Sequence, residues 1–120
     1  MTRILIVDDS PTELHVLKGI LEKNGFEVLS ATSGDEGVAK ASSEKPDAIL
    51  MDVVMPGLNG FQATRQITKN ADTAHIPVIV VTTKNQETDR VWALRQGAKD
   101  FLTKPVSEAD LIQKIKTLLP

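Results

Sequence analysis

Short apolar runs alternate with segments of helical periodicity five times along this chain, and four of the runs end in polar residues. Arg3-Ile4-Leu5-Ile6-Val7 leads into Asp8-Asp9, Ala48-Ile49-Leu50-Met51 into Asp52, Pro77-Val78-Ile79-Val80-Val81 into Thr82-Thr83, and Phe101-Leu102-Thr103 into Lys104-Pro105. Runs of this length bounded by polar residues read as strands, and the first three are apolar enough to be buried on both faces. Strands that alternate with helices imply right-handed crossovers and a parallel sheet. A closed eightfold barrel needs roughly 250 residues, and this chain has 120. The expected fold is therefore α/β, a doubly wound sheet of five parallel strands forming one domain.

The helical segments carry their own start and stop signals. The first is expected over about 11–24, with Leu14, Leu17 and Leu21 at helical spacing. Ser10-Pro11-Thr12-Glu13 reads as an N-cap, a proline at the first helical position and a capping-box Glu, and Gly25 is placed to end the helix. A strand near 27–31 precedes a second helix over 33–43, with Val38, Ala39 and Ala41 as small core contacts. A third helix is expected over about 59–70, carrying Phe61, Ala63, Thr64 and Ile67. The fourth, over about 87–96, turns Val91 and Leu94 inward and ends at Gly97. The fifth, over about 107–119, carries Leu111, Ile115, Leu118 and Leu119. Gly60 and Gly97 are assigned to tight turns.

Composition removes several function classes. There is no cysteine, which excludes disulfides, thiolate metal sites and thiol catalysis. The formal net charge is −2 with acids and bases interspersed, so no basic run points to nucleic acid. No apolar stretch is long enough to span a bilayer, and a strand pattern from Arg3 onward leaves no room for a signal peptide. A cytoplasmic protein that contacts neither nucleic acid nor membrane is expected. His15 and His75 have no partner histidine at metal-ligand spacing and read as ordinary surface residues.

If the strands are parallel neighbours, Asp8, Asp9, Asp52, Thr82 and Lys104 converge on the carboxyl edge of the sheet, where open α/β folds bind ligands. Adjacent carboxylates repel unless a cation lies between them or one is protonated. With Asp52 they make a hard oxygen site suited to Mg²⁺ and a phosphate. Helix capping could account for one acid of the pair, but Ser10 already serves that role. Asp52 fits a third metal ligand, a nucleophile for a phosphoryl group, or a turn-initiating residue. Thr82 could donate to a phosphoryl oxygen. Lys104, taken alone, is an ordinary surface lysine; beside the acids it would neutralise them and hold a phosphoryl oxygen. Lys104-Pro105 is a candidate cis peptide.

Taken together, Asp8-Asp9, Met51-Asp52-Val53-Val54-Met55-Pro56 with Gly60, Thr82 and Lys104-Pro105 resemble the receiver domains of two-component response regulators over the whole chain. The resemblance implies a flavodoxin-like fold with strand order 2-1-3-4-5, residues 1–120 forming one receiver domain with no output domain. It implies that Asp52 accepts a phosphoryl group from a histidine kinase or phosphotransfer domain. Asp9, Asp52 and the backbone carbonyl of Val54 would ligate Mg²⁺ directly, and Asp8 largely through water. Lys104 and Thr82 would bind phosphoryl oxygens, with Thr82 and Phe101 as switch residues. They would repack the face of helix 4, strand 5 and helix 5, which signals to a downstream partner. Asp9-Ser10-Pro11-Thr12-Glu13, the segment from Gly57 to Gln66 and that from Thr82 to Asp89 are similar to single-domain regulators of pilus-type chemotaxis and twitching motility. In such a protein output runs through a partner, or the domain acts as a phosphate sink.

The chain departs from the family pattern at Thr83, where Ala or Gly is usual, and at Phe101, which replaces tyrosine. Val54 and Lys84 occupy positions that tune hydrolysis in this family, and an apolar Val54 cannot orient water, so rapid self-dephosphorylation is not expected. Trp92 either approaches the signalling face or half-packs against a neighbouring helix. An aspartyl-nucleophile phosphohydrolase would want a second acid at Val54. A docking pseudo-receiver would not need the full set of charged site residues.

Overall fold

The computed structural model describes residues 1–119. Its strands are β1 (Arg3–Val7), β2 (Glu27–Ala31), β3 (Ala48–Met51), β4 (Val78–Thr82) and β5 (Asp100–Thr103). Between and after them run α1 (Pro11–Lys23), α2 (Gly34–Glu44), α3 (Gly60–Lys69), α4 (Glu87–Arg95) and α5 (Glu108–Leu118). All strand pairs are parallel, in the order β2-β1-β3-β4-β5, as the alternating pattern predicts.

The period of two along each strand divides the core. Ile4, Ile6, Leu50, Ile79 and Val81 pack with Leu17 and Leu21 of α1 and Leu111 and Ile115 of α5. The intervening residues Leu5, Val7, Ile49, Met51 and Val78 pack on the opposite face with Ala41 of α2 and Ala63 and Ile67 of α3. With both faces covered, the strand register cannot slip without moving apolar side chains into solvent.

A third, smaller cluster lies under α4, where Val53, Val80, Ala93 and Ala98 are buried and Phe61 and Phe101 pack against them. Here two expectations are corrected. Val91 and Leu94 do not turn inward; they are 39% and 37% exposed, and Ala93 is the buried residue of α4. The helix is nine residues long and follows Lys84-Asn85-Gln86, so its phase is set by how closely it approaches β5, and only a small side chain fits there. Ala39 also points outward; the narrow contacts of α2 fall on Gly34, Gly37 and Ala41.

The caps follow the sequence signals with one exception. The Ser10, Ser33 and Ser107 side chains accept from the third amide of their helices, and Asn59 with Gln62 forms a complete capping box. Glu13 does not close a box with Ser10, because its carboxylate turns towards Lys104. Gly97 has φ +103 and ends α4 as expected, whereas the tight turn assigned to Gly60 belongs to Gly57, at φ +74. Gly60 instead permits close approach: a Cβ there would run into the Asp52 carbonyl and the Val53 backbone. The loop after β3 is thereby pressed against the start of α3.

Candidate functional site

Backbone hydrogen bonds that extend the sheet ladder fix where the polar residues stand. The Asp8 amide donates to the Ala31 carbonyl (3.0 Å), the Asp52 amide to Val7 (2.9 Å) and the Lys104 amide to Thr82 (2.8 Å). Each residue thus leaves its strand at one shared edge. Carboxylate oxygens of Asp8, Asp9 and Asp52 lie within 4.8 Å of one another. Asp8 and Asp52 are buried, at 1% and 8% exposure, while Asp9 faces solvent.

Lys104 reaches into this group. Its Nζ donates to Asp8 Oδ2 at 2.6 Å and stands 3.8 Å from Asp52 Oδ1 and 3.6 Å from Glu13 Oε2. It is not the surface lysine that its residue type alone suggests, since its side chain is 7% exposed. Burial presses its pKa down, but the Asp8 hydrogen bond and the charges of Asp52, Asp8 and Glu13 outweigh burial and hold the ammonium above the ordinary lysine value. Asp52 moves up from the usual carboxylate value. Burial is the largest cause; Lys104 opposes it, and Asp8 and Asp9 add to it. The two carboxyl oxygens of Asp8 are both engaged, Oδ1 accepting from the Ser10 amide at 2.9 Å and Oδ2 from Lys104.

Thr82 is fully buried at the end of β4, where its Oγ1 accepts from the Lys84 amide at 3.3 Å. Thr83 is exposed beside Lys104 and Pro105, and the Lys104-Pro105 bond is cis, as anticipated. Val54 is 56% exposed in the loop that follows Asp52. Phe101 is half-buried against the small cluster under α4, away from the acids. Glu13, read from the sequence only as a cap, joins the site through Lys104. The signal for this lay in its place in the first turn of the helix that Ser10 starts, close to the Asp8 strand end. His15 and His75 are exposed and take no part.

The donor set suits a small hard cation: carboxylates supply the oxygens, one acid stays solvent-facing, and a single buried ammonium leaves the cluster short of positive charge. Three acids, a hydroxyl and an ammonium at the carboxyl edge of a 2-1-3-4-5 sheet define a receiver. The chain belongs to the response regulator receiver domain family, whose model matches residues 4–116. It is 65% identical to Protein PilH of Pseudomonas aeruginosa, across 99% of this chain and 98% of that one. Among solved structures it is similar to chemotaxis protein CheY4 of Vibrio cholerae (TM-score 0.91, 28% identity, 99% of each chain). It is also similar to the receiver domain of sensor histidine kinase PA1611 of P. aeruginosa, solved with a magnesium ion coordinated in its active site cleft (TM-score 0.90, 32% identity, 98% of this chain and 96% of that one).

Proposed function

We propose that Asp52 is the phosphoacceptor of a Mg²⁺-dependent signalling domain and that its donor is a phosphohistidine of a kinase or phosphotransfer protein. The observation that carries this reading is the buried Asp52 carboxylate, clustered with Asp8 and Asp9 and 3.8 Å from Lys104. An Asp52 oxygen attacks phosphorus, the P–N bond breaks, and the imidazole leaves with the bonding pair. Lys104 and Thr82 hold phosphoryl oxygens as charge builds on them. Bound Mg²⁺ supplies further neutralisation of that charge.

Asp9, Asp52 and the Val54 carbonyl are the direct ligands in this reading. Asp8 acts through water, which accords with its oxygens being held by Ser10 and Lys104. Thr82 and Phe101 transmit the change to the face formed by α4, β5 and α5, a two-state element biased by local charge. The domain acts catalytically only on its own phosphorylation and dephosphorylation. Its likeness to Protein PilH supports a role in pilus-type chemotaxis and twitching motility, with output to a partner protein or as a phosphate sink. We place it in the cytoplasm with its kinase; among the described residues no helix is long and apolar enough to cross a membrane.

Intact mass after incubation with Mg²⁺ and acetyl phosphate tests the chemistry. One phosphoryl group should be added, and none with EDTA or in Asp52→Asn. If acetyl phosphate and a phosphorylated histidine domain both fail, the phosphoacceptor reading is wrong and a docking domain takes its place.

A further inference from the structure

Away from the acidic edge, α3 and α4 enclose two clefts that meet at Gln96. Arg65, Lys69, Arg95 and Lys99 line them, and no acidic side chain does. Eight of the fourteen Lys and Arg side chains form ion pairs. Of the six that do not among the described residues, four are these; the other two are Lys18 and Lys116. In a chain of net charge −2, unpaired cations are thus gathered in one groove while most others are neutralised locally.

The groove has a built floor. Thr68 Oγ1 donates to the Gln96 carbonyl at 2.7 Å, and Gly97 lies so close that a Cβ would fall 2.5 Å from Thr68 Oγ1. One end carries apolar surface: Trp92 is 48% exposed, beside half-buried Phe61. Trp92 is thus half-exposed, at a cleft it shares with Phe61 and Arg65 of α3. Cations flanking an exposed aromatic surface complement a ligand with carboxylates and an apolar side chain.

We propose that the α3–α4 groove docks a short acidic segment of a partner protein, with carboxylates on Arg65, Lys69, Arg95 and Lys99 and an apolar residue on Trp92. A short segment is favoured over nucleic acid by length and charge. Helices of ten and nine residues give a groove about 15 Å long at 1.5 Å per residue, and a net-negative molecule repels a polyanion that extends beyond it. The site is separate from Asp52 and does not depend on that residue's role.

The test uses the full chain and a ten-residue peptide of Glu and Asp around a Leu-Phe pair, read by amide chemical shifts and by the fluorescence of Trp92, the sole tryptophan. Shifts should map to α3 and α4, and affinity should fall about fivefold or more from 50 to 200 mM salt. Lys69→Glu with Lys99→Glu should weaken binding about tenfold or more. Lys18→Glu with Lys116→Glu, the same charge change elsewhere, should stay within about twofold, and Asp52→Asn should bind as wild type. Absence of binding, shifts elsewhere, equal loss in the two double variants, equal binding of a Gln/Asn version of the peptide, or tighter binding of a thymidine decanucleotide would each overturn the proposal.

Discussion

Asn in place of Asp52, a nearly isosteric change that removes only the charge, should stabilise the protein in the absence of metal. Two charges act most strongly on Asp52. Asp8, within 4.8 Å, costs at least about 3.5 kcal/mol at an effective permittivity of 20, and Lys104 at 3.8 Å returns about 4 kcal/mol. Asp9 is exposed, so its repulsion is largely screened. The pair interactions nearly cancel, and burial decides the sign: Asp52 is 8% exposed and its pKa is raised.

A carboxyl whose folded pKa lies above its unfolded value binds protons more readily when folded. Above its unfolded pKa it therefore disfavours folding. Removing the charge should therefore raise Tm, and each 1 kcal/mol gained would read as roughly 3–6 °C for a domain of this size. Thermal unfolding in EDTA at pH 7 is the assay. The advantage of Asn should shrink as pH falls through the raised Asp52 pKa, because the wild type then neutralises the same group by protonation. Saturating Mg²⁺ should reverse the order, a hundredfold excess over Kd giving the wild type about 2.7 kcal/mol. An Asn variant less stable than wild type in EDTA at pH 7, or an advantage that grows on acidification, would refute the reasoning.

Three other outcomes follow from the geometry. Lys104→Gln should tighten Mg²⁺ several-fold in calorimetric titration, since it removes an ammonium 2.6 Å from Asp8 and 3.8 Å from Asp52 that competes for the same carboxylates and repels a dication; unchanged or weaker binding would contradict this. Gly97→Ala should cost about 2 kcal/mol or more in urea unfolding, because φ is +103 and the new Cβ meets Thr68; a neutral result would show that α4 moves freely. Phosphorylated protein should decay over minutes or longer, because exposed, apolar Val54 cannot orient water, and a half-life of seconds would exclude that explanation.

The sheet was legible because its period is short and its strands are buried: Ile4 and Ile6 against Leu5 and Val7 already separate the two faces. The charged edge was legible for the same reason, since where a buried run stops, its first polar residue must emerge. What was not legible depends on distances that no local pattern encodes. Gly57 and Gly60 look alike in sequence, but one supplies a positive φ and the other clears the Asp52 backbone. Val91 and Leu94 were misplaced because the nine residues of α4 are too few, and too evenly apolar and polar, to fix a phase. The basic groove escaped because its cations come in pairs about thirty residues apart, Arg65 and Lys69 on α3, and Arg95 at the end of α4 with Lys99 in the turn before β5.

The same construction explains why the site can be altered without loss of the fold. Asp8, Asp52 and Lys104 are each anchored by a main-chain amide that donates to a neighbouring strand, and none of those bonds involves a side chain of the site. The strands behind them are held by two apolar layers that the charged groups do not enter. Mutual repulsion among the carboxylates is therefore offset by the buried Lys104 ammonium rather than by displacement of the backbone. That separation allows buried like charges to persist at the edge of a small domain, and it makes charge substitutions there readable as electrostatics rather than as unfolding.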